Sequence, residues 1–142
     1  MVERVADLRE EAWKLLVKSK PSDYELKNVI EYTPELRDRA WKLLLKKKPG
    51  NLILRDIVRY VDAMRKPAWK RMLKNKPSHN DLIYVMRYVP ELRGEAWKKL
   101  LKQDPDVEDL LLLLKYSPEL RQEAWQEFKR HELSNNDVLK VI

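Results

Sequence analysis

The sequence predicts an all-α protein, a right-handed α-solenoid of five two-helix repeats of 28 residues. Three observations predict it. Tryptophan recurs at Trp13, Trp41, Trp69, Trp97 and Trp125, 28 residues apart each time, and self-similarity at a fixed period of this size marks a stack of small helical units. Prolines recur in two phases, one where helices open and one where they close. Between them, apolar residues follow the helical period rather than the alternation of a strand.

The copies divide at 5–32, 33–60, 61–88, 89–116 and 117–142 of one elongated domain spanning 1–142. Helix A is predicted to open at Pro34, Pro90 or Pro118, because a proline at the first helical position gives up an N–H that has no acceptor there. In the second copy Leu36, Ala40 and Leu44, with Trp41 and Leu45, form an apolar stripe, while Lys42 and Lys46 point away. Helix A should stop before Pro21, Pro49, Pro77 and Pro105, since a proline disfavours helical geometry in the residue before it. The third copy departs from the pattern. Its opening proline is missing and Pro67 falls five residues late, which predicts a late start or a kink.

Helix B follows at once. Ser22, Ser78, Asp106 and Ser134 are its candidate caps, with Glu25, Asp81, Asp109 and Asp137 three residues on, the spacing of a capping box or its Asp variant. Gly50 is the weakest of the five caps. The inward face reads Leu26, Val29, Ile30, then Leu54, Ile57, Val58, then Leu82, Val85, Met86, then Leu110, Leu113, Leu114, and last Val138, Val141, Ile142. Helices of ~14 and ~10 residues would be roughly 21 and 15 Å long, joined by turns short enough to force antiparallel hairpins. Neither helix buries its stripe alone, so the hairpins must stack, with A helices in one layer and B helices in the other. This resembles the HEAT, armadillo and tetratricopeptide repeat class over essentially the whole chain. The resemblance is architectural: the unit is shorter than the tetratricopeptide one, and Lys42-Leu43-Leu44 replace the Gly and Tyr that follow the Trp there. It implies a fold and no particular ligand.

Composition excludes several function classes. The longest apolar run, Leu110 to Leu114, has five residues, far short of the ~18 of a membrane span, so a soluble chain with no membrane partner is expected. The N-terminus carries no apolar region of a secretory signal. With no cysteine, disulfides, thiol nucleophiles and zinc–thiolate sites are all removed, which is compatible with a cytoplasmic setting. His79 and His131 are the only histidines and fall on different elements, so no metal is expected. The only glycines, Gly50 and Gly94, make no phosphate-cradling loop and no nucleophile elbow. Most carboxylates sit in first helical turns, where the helix dipole accounts for them. The expectation is therefore a non-enzyme without cofactor.

Two columns are read as structural. Each Trp lies on the apolar arc of helix A beside Ala and Leu, which makes it core between repeats. Arg9, Arg37, Arg65, Arg93 and Arg121 stand four residues before each Trp. They are placed either over the indole face or against the C-terminal carbonyls of the preceding helix B. Tyr32, Tyr60, Tyr88 and Tyr116 close helix B and read as half-buried packing with a wet hydroxyl.

Two surfaces remain as candidate sites. The net charge of +7 is concentrated: residues 33–60 carry 8 basic against 3 acidic residues and 61–88 carry 7 against 2, while each of the other copies is −1. Arg39, Lys47, Lys48, Arg55, Arg59, Lys66, Arg71 and Arg87 make up this basic block, a candidate site for phosphates or acidic peptides. The second surface is the outer face of helix B, where Lys27 and Asn28 give way to Arg55 and Asp56, Ile83 and Tyr84, Leu111 and Leu112, and Leu139 and Lys140. Ile83, Tyr84, Leu111, Leu112 and Leu139 would form an exposed apolar patch, the mark of a contact site, unless they tuck between neighbouring helices. The leading expectation is a scaffold that binds a protein, or another copy of itself, through the helix B layer. A nucleic acid or acidic ligand on the basic block is the alternative. Against a base-reading code, the matched positions drift to Ile and Leu instead of staying polar. A third reading is an engineered or excised repeat fragment with no assigned function; the divergence of the copies argues against a simple consensus design.

Overall fold

The computed structural model describes the backbone of residues 2–142 and side chains from residue 6 onward. Ten α-helices follow one another with no strand among the described residues: α1 (Val2–Lys18), α2 (Asp23–Tyr32), α3 (Arg37–Lys46), α4 (Asn51–Tyr60), α5 (Arg65–Lys74), α6 (His79–Tyr88), α7 (Arg93–Lys102), α8 (Val107–Tyr116), α9 (Arg121–Lys129) and α10 (Asn135–Leu139). Odd helices are the A helices and even ones the B helices. The solenoid architecture follows from their regular consecutive packing.

From the second copy onward helix A does not begin as an α-helix. Pro34–Leu36, Asp62–Met64, Pro90–Leu92 and Pro118–Leu120 form single 3-10 turns, in which Leu36, Met64, Leu92 and Leu120 donate to the carbonyl three residues back at 3.0 Å. The tighter turn supplies acceptors for N–H groups that an α-helical start would leave unpaired. It forms in the third copy without any proline. Pro67 is therefore neither a delay nor a kink, because it is the third residue of α5, inside the first turn, whose N–H groups lack intrahelical acceptors in any case.

The B helices are capped as their sequence requires. Ser22, Ser78, Asp106 and Ser134 each form a reciprocal capping box with the acidic residue three positions on, whereas Gly50 caps α4 with no side chain. The turns from A to B carry a feature not legible beforehand. Lys20, Lys48, Lys76 and Asp104, each just before a proline, adopt left-handed φ of 58°, 54°, 57° and 51°. That geometry ends the helix by bending the chain away from its axis, and glycine usually takes it.

The layers also differ from a pair of equal sheets of helices. The closest approaches join each B helix to the A helix that follows it (α2 to α3, α4 to α5, α6 to α7, α8 to α9) and successive B helices from α2 to α8; among the described residues the A helices make no comparable approach to one another. The bulk explains it. Leu36, Ala40 and Leu44 present a shallow face with alanine at its centre to α2, and Ala40, Ala68, Ala96 and Ala124 are all fully buried. One continuous core results, with Leu26, Ile30, Leu54, Ile57, Leu82, Met86, Leu110 and Leu113 at its centre. Trp13, Trp69 and Trp97 are buried in it, and Trp41 and Trp125 are half-buried against it.

Two stability predictions follow from this packing. Trp97→Ala empties a buried site in the interior of the array and should destabilise the fold by about 3 to 5 kcal/mol, with Trp125→Ala costing less because fewer neighbours enclose it; equilibrium denaturation of both reads the difference. Lys76→Gly removes a left-handed strain of about 1 to 2 kcal/mol against a glycine entropy loss of about 0.5 to 1 kcal/mol. It should therefore raise stability, and a lowered denaturation midpoint would contradict the strain.

Candidate functional site

The arginine column is the first polar constellation that the fold assembles. Arg37, Arg65, Arg93 and Arg121 donate from Nε to the carbonyls of Ile30, Val58, Met86 and Leu114 at 2.6, 2.8, 2.8 and 3.0 Å. Each acceptor lies in the last turn of the preceding B helix, where carbonyls have no intrahelical donor. The outer edge of the guanidinium then reaches the next copy: Arg9 pairs with Glu35 at 3.8 Å, Arg65 with Glu91 at 3.0 Å and Arg93 with Glu119 at 3.1 Å. The column stands on carbonyls and not on the indoles. The cations over tryptophan are Arg39 over Trp13 and Lys129 over Trp125.

A second ladder runs through the A-to-B turns. Lys47 donates to the carbonyl of Pro21, and Asn75 and Gln103 donate to those of Pro49 and Pro77, each at 3.1 Å. At the start of the B helices, Asn51 donates to Asp81 at 3.2 Å and His79 meets Asp109 at 2.7 Å while its other nitrogen lies 3.0 Å from the Gln103 carbonyl. His79 thereby serves as a rung between copies. Among the described residues no group of three or more histidines or carboxylates is placed to hold a metal ion, and no helix is long and apolar enough to cross a membrane.

The basic block is not one patch. Arg39 lies on α3 and is ion-paired with Glu10, whose carboxyl the guanidinium holds below its ordinary range. Lys47 and Lys48 belong to an A-to-B turn, with Lys47 also 3.5 Å from Asp23. Lys66 and Arg71 lie on α5, and the Nε of Arg71 is buried without a hydrogen-bond partner. Only Arg55, Arg59 and Arg87 share the B layer.

The predicted apolar patch is also corrected. Ile83 and Leu111 are buried, 7% and 6% exposed, because their position falls in the seam between successive B helices, the most closely packed layer. Lys27 and Arg55 occupy the same position in earlier copies and are likewise mostly covered, with side chains 12% and 23% exposed; their aliphatic stems fill the seam while the charged ends reach out. Tyr84 is half-buried, donates its hydroxyl to Asp56 at 3.0 Å and receives Arg59 at 3.4 Å. Burial pushes its phenol above the ordinary range. Leu112 and Leu139 alone of the five remain exposed.

What stands on the B layer instead is a set of arginines stacked on tyrosines. Arg55 lies 4.5 Å from the ring centre of Tyr84, Arg59 lies 4.7 Å from Tyr60 and 3.7 Å from Tyr88, and Arg87 lies 5.1 Å from Tyr88 and 3.9 Å from Tyr116. Tyr84 and Tyr88 meet edge to face at 4.9 Å. Arg55 is neutralised by Asp81 at 3.4 Å. Arg59 and Arg87 have no carboxylate partner among the described residues. A guanidinium seated over an aromatic ring can still offer N–H groups to a planar oxyanion. Sequence reading passed over this set by treating the tyrosines one by one. The signal was present in the repeated pairs Arg59-Tyr60 and Arg87-Tyr88, followed by Lys115-Tyr116.

Comparison of the chain with protein-family models, with curated proteins and with solved structures finds no match. The residues alone therefore carry the functional reading.

Arg93→Met keeps an unbranched apolar stem but removes the donor to Met86 and the pair with Glu119. A lost hydrogen bond from a charged group is worth about 1.5 to 3 kcal/mol, and thermal or chemical unfolding should report a loss in that range. The more exposed Arg121→Met should lose less.

Proposed function

We propose that the chain is a non-catalytic scaffold of the helical-hairpin repeat class, akin to HEAT and tetratricopeptide arrays, that docks an acidic protein segment along its B layer. The observation that carries this reading is the pair Arg59 and Arg87, stacked on Tyr88 and Tyr116 and unpaired by any described carboxylate. A segment with carboxylates spaced to meet successive B helices would be gripped by guanidinium edges at each step, with Leu112 offering an apolar contact beside them. Stacking fixes the arginine rotamers before the ligand arrives, so less ordering entropy opposes binding. The second reading is single-stranded nucleic acid, favoured by the partly exposed rings of Tyr60 and Tyr116, on which bases could stack.

Replacing Arg59 and Arg87 by Gln should weaken binding of an acidic peptide such as poly-glutamate and flatten its dependence on salt, because fewer counterions are released. Gln at Lys14 and Lys98, charges of the A helices, should leave both unchanged. Fluorescence anisotropy across a salt series reads the two sets side by side. Equal losses at both would assign binding to overall charge, and tighter binding of poly-uridylate than of poly-glutamate would favour the second reading.

A further inference from the structure

We infer that the B layer holds a phosphorylated residue of its acidic partner, with Arg59 and Arg87 gripping one phosphomonoester from two sides. The inference rests on the docking reading above and names the group that the docked segment must carry. Three properties of the same place support it: the distance between the two guanidinium groups, their missing counter-charge, and the change of sign along the column that contains them.

Arg59 lies 3.7 Å and Arg87 lies 5.1 Å from the centre of the Tyr88 ring. Their guanidinium carbons are therefore no farther apart than those two lengths laid end to end. A guanidinium that donates two parallel N–H bonds of about 2.7 to 2.9 Å to an oxyanion puts its carbon about 4 Å from the central atom of the anion, so two of them facing one anion span about 8 Å. A single group at the edge of the Tyr88 ring thus falls within reach of both. The two side chains are also seated before any ligand arrives. Arg59 stands over Tyr60 and donates to the Tyr84 hydroxyl at 3.4 Å, and Arg87 stands 3.9 Å from the centre of Tyr116. One donor of Arg59 is used in this way, which leaves the rest of its five N–H groups for an anion.

The charge decides which anion. Neither arginine has a carboxylate partner among the described residues. The acidic groups nearby are engaged elsewhere, Asp56 as acceptor of the Tyr84 hydroxyl and Asp81 with Arg55. Two cations within reach of one anion call for two negative charges. A carboxylate brings one charge and one planar fork, which a single guanidinium occupies. A phosphodiester within a nucleic-acid strand likewise brings one charge. A phosphomonoester on serine or threonine carries about −1.5 to −2 and three acceptor oxygens, enough to receive a fork from each arginine.

The column gives the bearer and its direction. Glu31 holds the position of Arg59 and Arg87 in the first copy, and Lys115 holds it in the fourth. Glu31 is paired with Lys27 at 3.8 Å, whereas Lys115 is exposed in the last turn of α8. A docked chain therefore meets negative charge beyond Arg59 and positive charge beyond Arg87, so its carboxylates belong on the Lys115 side of the phosphate. Leu112, one turn before Lys115 on the same helix, is exposed there. It suits an apolar side chain of a peptide, which a sugar–phosphate strand lacks.

The test is fluorescence anisotropy on the full chain with three acidic peptides that differ only at one central residue, phosphoserine, glutamate or serine. The phosphoserine peptide should bind about tenfold tighter than the glutamate peptide, because the second guanidinium gains a partner. Arg87→Lys keeps the charge without the fork and should erase that preference while the glutamate peptide still binds; Arg59→Gln should weaken both. Circular dichroism verifies that each variant keeps its helicity. A preference that survives Arg87→Lys would be one of charge alone and would overturn the grip by two forks. Equal affinity for the phosphoserine and glutamate peptides, both weakened by Arg59→Gln, overturns the phosphate assignment and leaves acidic docking standing. Failure of all three peptides to bind overturns both. Tighter binding of a 5′-phosphorylated oligouridylate, or of vesicles containing phosphatidate, than of the phosphoserine peptide gives the monoester to another bearer and overturns the peptide assignment.

Discussion

The helices α2, α4, α6 and α8 each end inside the stack with carbonyls that their own backbone cannot satisfy, and the arginine opening the next helix donates to one of them. The rest of the array depends on that bond. It sets the angle at which the chain leaves α2, α4, α6 and α8, since Nε of Arg37, Arg65, Arg93 and Arg121 must reach back seven residues. In Arg65 and Arg93 the same group also reaches forward to Glu91 and Glu119, so one side chain ties three successive copies into register. A lysine could not replace it, because a point charge lacks the fork that serves acceptors in two directions.

The local grammar of the fold was legible in the sequence. Ser22, Ser78, Asp106 and Ser134 could be read as caps because a capping box depends on residues three apart and on nothing distant. The arginine column was legible only as far as a choice between the indole face and the carbonyls of the preceding helix B, and the structure selects the carbonyls, seven residues away. The pairing of helices was harder to read. An apolar stripe says that a helix buries one face, but not whether its closest neighbour is the helix before it or after it. Here the small residue at Ala40, Ala68, Ala96 and Ala124 decided the matter in favour of the preceding B helix.

The candidate site was legible only in part, because side-chain type does not report which way a long side chain leaves a seam. Lys27 and Arg55 suggested an outward position, and Ile83 and Leu111 at the same position then suggested a patch. The seam accepts both, since a lysine stem and a leucine fill much the same groove. Contacts between copies were invisible for a different reason. His79 and Asp109 lie 30 residues apart, as do Asn51 and Asp81, and no local rule links such distances. The arginines and tyrosines of the B layer fell between the two cases, legible once helix stacking brings Arg59 over Tyr88.

The two layers are joined unequally. The helices α2, α4, α6 and α8 pack directly on one another, whereas no comparable contact links the A helices among the described residues. A side chain too large for the seam at Ile83 or Leu111 would therefore wedge two copies apart, and Arg59 would lose its seat over Tyr88 with them.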